Sequence, residues 1–185
     1  MCKVTVFIAD GTEEVECLTI VDLLRRAGID VRLISIMDTE KIVSSHKVTI
    51  IADGTFGTED YSDSDMLFIP GGMPGTKNML AHEGLKDLIV KFYNEGRKLA
   101  AVCAGPSVLG QAGILKDKKV TCFPGWEDKF ECKEYTGALV ETDGSVITGR
   151  GLGACIDEGL EMIRLLKGDE VSADIKHRIQ HPDTI

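Results

Sequence analysis

A chain of 185 residues, 43% hydrophobic and 28% charged, is long enough to bury most of what its unfolded form exposes, and fits one domain over residues 1–185. Its net charge of −9 excludes the basic stripe that nucleic acid requires and disfavours an anionic membrane surface. The longest apolar runs are of strand length, so no segment is expected to span a bilayer, and an N-terminus that enters a strand without a signal-peptide layout makes the cytoplasm the expected location.

The run KVTVFIA (3–9) is almost wholly apolar, as in a strand buried on both faces. DGTEEVECLTIVDLLRRAG (10–28) follows as loop and helix, with Asp10 and Thr12 as candidate caps, acidic residues in the first turn and Gly28 after the end. DVRLISI (30–36) is a second strand, and KVTIIAD (47–53) a third, on an edge or in a hairpin. DMLFIPGG (65–72) is a strand stopped by a Pro-Gly-Gly turn; GLKDLIVKFYNEG (84–96) is a helix and RKLAAVC (97–103) a strand. A short helix is expected within 105–115, a strand within 118–125, a hairpin around Asp143-Gly144 and a helix over 154–168, with a partly helical tail. Strands alternating with helices predict a doubly wound α/β/α sandwich on a mainly parallel sheet. In that architecture sites lie beyond the carboxyl ends of the strands, which directs attention to residues 10–16, 70–75 and 103–107.

Cys103 closes an apolar strand and opens a helix through Ala104, Gly105 and Pro106. Small residues permit close backbone approach, and proline suits a first helical turn. By analogy with a nucleophile elbow, this turn lifts one side chain above the sheet, although the G-x-S-x-G pattern is absent. The other five cysteines, Cys2, Cys17, Cys122, Cys132 and Cys155, are scattered without C-x-x-C or zinc-knot spacing and read as free thiols; no metal or cofactor is expected.

Glu16 lines up with Ile20, Leu23 and Ala27 on the apolar stripe of the first helix, whereas Val15, Thr19, Asp22 and Arg26 share the polar face. A carboxyl heading an apolar stripe is drawn inward and has its pKa raised; the plainer reading is an edge residue whose head reaches water. Glu13 also faces inward, but at the helix start, where backbone N–H groups can satisfy it. Lowering a thiol from ~8.5 to ~5.5 requires ~4 kcal/mol. A helix N-terminus offers ~0.3–2 and a charged hydrogen bond ~1.5–3 kcal/mol, so Cys103 and Glu16 need no histidine. Of the four histidines, His82, His177 and His181 read as surface residues, and His46 as a candidate for the site rim.

The motifs DGTEEVE, RRAGI, IPGG, AVCAGP and TGRGLG, in this order, resemble those of the ThiJ/PfpI superfamily, also called the DJ-one family, in its DJ-one/YajL-like branch. The resemblance covers nearly the full length and implies a flavodoxin-like fold. It implies that Cys103 is the nucleophile, Glu16 its protonated partner, and Gly72 and Ala104 the oxyanion-hole N–H donors. It further implies a homodimer involving the first helix and Arg26. The implied activity is cofactor-free glyoxalase or deglycase chemistry on 2-oxoaldehydes such as methylglyoxal, or on their thiol and amine adducts. The alternative is a non-enzymatic redox sensor or chaperone, in which Cys17 is a possible resolving thiol. Ala104 stands where protease-like members carry a histidine, which argues against a peptidase. Phe123 stands where close relatives often carry a histidine, and His46 where some carry an arginine. GRGLGACIDEG (149–159) resembles a phosphate loop but misses the dinucleotide register, and reads instead as a tight turn flanking the thiol.

Overall fold

The computed structural model describes residues 2–184. Seven strands form the central sheet in the order β10-β11-β7-β6-β1-β2-β5. They are β1 (Lys3–Ile8), β2 (Asp30–Ser35), β5 (Gly54–Thr55), β6 (Met66–Ile69), β7 (Lys98–Val102), β10 (Val140–Asp143) and β11 (Val146–Gly149). All neighbours are parallel except β10, which pairs antiparallel with β11 through the expected turn at Asp143-Gly144.

Alternation along β1 divides the core. Val4, Val6 and Ile8 pack with α1 (Glu14–Arg26), α5 (Cys155–Lys167) and Ile175 of α6 (Asp169–Arg178). Phe7 and Ala9 pack on the opposite face with α2 (Gly75–Leu80), α3 (Glu83–Asn94) and α4 (Pro106–Gln111). The result is the α/β/α flavodoxin-like sandwich expected from the sequence. From β1 the chain moves outward to β2 and then crosses to β6 on the other side, so the switch point lies between β1 and β6. The carboxyl ends of β1, β6 and β7 open onto it.

Four local features differ from the sequence reading. The helix α1 is capped by Glu13, whose Oε2 accepts the Glu16 N–H at 2.6 Å. Asp10 instead accepts from Val43 N–H at 2.8 Å and Thr12 from Ala9 N–H at 2.9 Å. The apolar run at 47–53 supplies β4 (Thr49–Ile51), paired antiparallel with an unforeseen β3 (Lys41–Val43). An unforeseen α2 follows the IPGG turn. Finally, β8 (Lys119–Val120) pairs with β9 (Glu134–Tyr135) outside the main sheet. Toward β10 and β11 its backbone finds side chains: Lys119 N–H bonds Asp143 Oδ2 and Thr121 N–H bonds Thr148 Oγ1, both at 2.9 Å.

Candidate functional site

Cys103 sits between β7 and α4 with φ +61°, in the left-handed region that non-glycine residues rarely occupy. Its backbone is held on both sides: its N–H donates to Gly149 O, and its carbonyl accepts from Phe123 N–H, each at 2.9 Å. Gly105 is wedged against the carbonyls of Ile69, Val102 and Pro70, leaving no room for a side chain. The elbow inferred from AVCAGP is thus present as a strained, braced turn.

Gly71 joins this elbow to α1. A Cβ there would lie 2.6 Å from Glu16 Oε2 and 2.8 Å from Cys103 Cβ, so both side chains converge over one α-carbon. The Gly71 N–H donates to Glu16 Oε2 at 2.9 Å. Glu16 is 1% exposed, as its place on the apolar stripe implied. Burial raises its pKa, and Glu13's charge adds to that. Donation from the Cys103 thiol and from the Gly71 and Leu152 N–H groups opposes them, with a result of about 7.

The Cys103 thiol moves against the sequence expectation. Burial raises its pKa first, followed by Glu16's negative charge and the hydrogen bond to it; the Ala104 N–H pulls the other way. Little offsets this burial, because α4 has few free donors. It has six residues, and Pro106 has no N–H. Gly105 N–H is spent on Val102 O, and Ser107 N–H on Ala104 O. Of the donors expected at this helix start, Ala104 N–H is left for the sulfur. Two of the causes that raise the thiol need an unprotonated Glu16. When Glu16 holds its proton, that repulsion vanishes and its O–H can donate to sulfur.

Gly72 adopts φ +96°, and a side chain there would collide with the backbone of Gly11 and Glu13. Its N–H has no partner among the described residues. Gly72 and Ala104 follow directly on Gly71 and Cys103; the Gly72 N–H is unpaired among the described residues, and the Ala104 N–H is directed at the sulfur. Phe123, by contrast, is 49% exposed and rests over Gly151 beside the elbow. It shares a shallow cavity of about 360 Å³ with Leu139, Arg150 and Leu152.

No histidine is among the main causes of the thiol's shift. His82 caps α3, its Nδ1 accepting from Leu85 N–H at 3.0 Å, and His181 lies between Asp157 and Asp183. His46 does reach the N-terminus of α1, where it faces Glu13 and Glu14. There Glu14 is a firm carboxylate: burial opposes ionisation, but its own N–H, Ser44, the His46 N–H and Ser45 outweigh it and hold the pKa at about 2. Cys17 is fully buried and pushed up to about 12 by burial. All six cysteines are free.

One buried acid escaped the sequence reading. Glu158 of α5 is 0% exposed, and neither carboxyl oxygen has a hydrogen-bond partner among the described residues. Its carboxyl lies against Gly149, whose carbonyl holds the Cys103 N–H. Burial, then Glu16's charge, raises its pKa well above the usual carboxylate range. The signal was available: Cys155, Glu158, Gly159, Met162 and Ile163 form the buried stripe of α5, the same pattern that singled out Glu16.

Comparison with known proteins identifies the family and the fold. The DJ-1/PfpI family model matches residues 2–165. The Parkinson disease protein 7 homolog of Danio rerio is 35% identical over 180 residues, covering 94% of each chain. The DJ-1 homolog B of Arabidopsis thaliana is 31% identical over 94% of this chain, which spans 40% of that longer protein. A protein named a deglycase from Pyrococcus abyssi is 28% identical over 89% of this chain and 99% of its own length. Among solved structures, oxidised DJ-1 of Toxoplasma gondii superposes with a TM-score of 0.93 at 30% identity, covering 97% of this chain and 98% of its own. Drosophila melanogaster DJ-1beta also gives 0.93, at 28% identity and 97% coverage of both chains. The chain belongs to the DJ-1/PfpI family.

Proposed function

We propose that this protein is a cysteine-dependent, cofactor-free glyoxalase or deglycase-type enzyme acting on 2-oxoaldehydes or their thiol and amine adducts. The observation that carries the reading is the convergence of Cys103 and Glu16 over Gly71, with the Ala104 N–H directed at the sulfur. In the proposed cycle the Cys103 thiolate adds to the aldehyde carbon of methylglyoxal. The new oxyanion is held by the Gly72 and Ala104 N–H groups. Glu16 takes the former aldehyde hydrogen as a proton and returns it to the neighbouring carbon through an enediol-like state. The first carbon is thereby oxidised and the second reduced, without an external electron carrier. Water then hydrolyses the thioester, releasing lactate and the thiol. The raised pKa of Glu16, about 7, suits a group that both accepts and donates near neutrality.

The proposal extends to a single working domain in the cytoplasm, assembled as a homodimer. Val15 and Leu18 are exposed on α1, beside Asp22, Arg26 and Ile156, along a groove of about 610 Å³ suited to a second copy. No helix among the described residues is long and apolar enough to cross a membrane.

A redox-sensing role of the same thiol is the second reading. It is favoured by the partial exposure of Cys103, whereas Cys17, Cys122 and Cys155 are buried. Peroxide would oxidise the sulfur to sulfenic and then sulfinic acid. The deciding experiment measures lactate formation from methylglyoxal by the wild type and C103A. Turnover that requires Cys103 supports the enzyme. Absence of turnover, together with selective sulfinate formation at Cys103 by mass spectrometry, would replace it with the sensor.

A further inference from the structure

The turn between β3 and β4 brings His46 onto the first turn of α1, 32 residues away in sequence. Its backbone is tied there: Ser45 N–H donates to Thr12 O at 2.9 Å, and His46 N–H to Glu14 Oε2 at 3.3 Å. The His46 Nδ1 lies 3.7 Å from Glu13 Oε1 and 3.4 Å from Glu14 Oε1. Ser45 Oγ stands 3.1 Å from both His46 Nδ1 and Glu14 Oε2; an ion on Nδ1 would displace it from the ring and leave it on the carboxylate.

Glu13 gives the independent sign. It is 8% exposed; its Oε2 is used as the cap of α1, but Oε1 is buried without a hydrogen-bond partner among the described residues and is directed at His46. Leaving such an oxygen unsatisfied is costly, and native proteins rarely do so. The imidazole does not fill the need, because 3.7 Å is too long for a hydrogen bond. The spacing suits a shared ion instead: ligands about 2.1 Å from a tetrahedral centre are about 3.4 Å apart.

We propose that Glu13, Glu14 and His46 form a binding site for a divalent cation of the zinc class, beside the Cys103 site. Two carboxylates balance the ion's charge, and the imidazole selects zinc-like ions over magnesium or calcium, which prefer all-oxygen sites. His46 is largely exposed, leaving a fourth position to water. The ion would clip the β3–β4 hairpin to α1. This reading departs from the sequence expectation of no metal, because the three ligands meet only after the hairpin folds back.

The test uses chelator-stripped C103A protein, which removes the competing nucleophilic thiol and makes the outcome independent of the proposed catalysis. Titration with zinc chloride by calorimetry should show one equivalent bound. Adding H46A to the same background should weaken binding by more than about 100-fold. E13Q should weaken it too while keeping an oxygen to cap α1. Zinc should raise the melting temperature of C103A and leave that of C103A/H46A unchanged, because a ligand stabilises only the state that binds it. Failure of C103A to bind one equivalent, or binding unaffected by H46A, overturns the proposal.

Discussion

Glu16 and Cys103 meet over the α-carbon of Gly71, one from the start of α1 and the other from the end of β7. Neither element could bring its side chain so close if residue 71 carried a Cβ. Gly71 also donates the N–H that fixes Glu16 Oε2, so one residue supplies both the space and the orientation.

Substituting Gly71→Ala tests this relationship. The added methyl would lie 2.6 Å from Glu16 Oε2, 2.8 Å from Cys103 Cβ and 3.2 Å from Ala104 N. Relief requires parting the pair, at a stability cost of ~1–3 kcal/mol for overpacking. Methylglyoxal turnover is expected to fall by at least ~10², the loss typical of a misplaced catalytic group. The melting temperature should drop only modestly. Wild-type turnover in a folded G71A protein would mean that the convergence has no part in the chemistry.

Glu16→Gln separates the proton role from the electrostatic one. Glu16's charge and its hydrogen bond both raise the Cys103 pKa, and a glutamine removes the charge. The thiol is an acid, so losing a nearby negative charge favours its ionised form. The pH at which Cys103 reacts with iodoacetamide should therefore move down in the variant, measured with chelator present. Turnover should nevertheless fall by ~10²–10⁴, because the amide cannot relay a proton. An upward shift of the alkylation midpoint would show that Glu16 promotes the thiolate chiefly by donating its carboxyl proton to the sulfur.

Glu158 makes stability depend on pH. An unfolded glutamate titrates near ~4.3. In the folded protein its pKa is raised by burial, so the native state holds the proton more tightly. This contribution is complete below the unfolded value and is lost as pH rises toward the folded one. Glu158→Gln has no proton to lose. Its urea midpoint should lie near that of the wild type at pH 5 and above it at pH 9, with the gap widening between. Parallel curves across that range would show that Glu158 ionises alike in the folded and unfolded states.

Much of this site is legible from local pattern. The apolar stripe placed Glu16 inside, and Cys103-Ala104-Gly105-Pro106 read as a tight strand-to-helix turn. What escaped depends on distant parts of the chain meeting. Gly71 is an ordinary member of a Pro-Gly-Gly turn until β6 lies between β1 and β7. His46 reads as a candidate for the site rim, but its meeting with Glu13 and Glu14 depends on the β3–β4 hairpin folding onto α1. The thiol's ionisation was misjudged because a helix start was credited with donors that its own turn consumes. Glu158 was missed for another reason: the stripe rule that found Glu16 applied equally to α5 and was not carried there.

Phe123 offers the most informative gain of function. Its backbone N–H holds the Cys103 carbonyl at 2.9 Å, yet its ring is 49% exposed and rests over Gly151 at the mouth of the site. The ring is not core, so Phe123→His should cost well below the ~3–5 kcal/mol of a buried phenylalanine truncation. The backbone bond does not depend on the side chain and should survive. In the wild type the near-neutral ionisation of turnover should be that of Glu16 alone, at about 7. The imidazole introduced by F123H would stand beside the elbow with one nitrogen free to accept a proton. Turnover of methylglyoxal should rise, and a second ionisation should join that of Glu16, steepening the near-neutral limb of the pH profile. Melting temperature and turnover measured on the same sample separate the two possible roles of this position. An unchanged pH profile with an unchanged melting temperature would mean that residue 123 only shields the mouth, and that Glu16 remains the sole proton carrier.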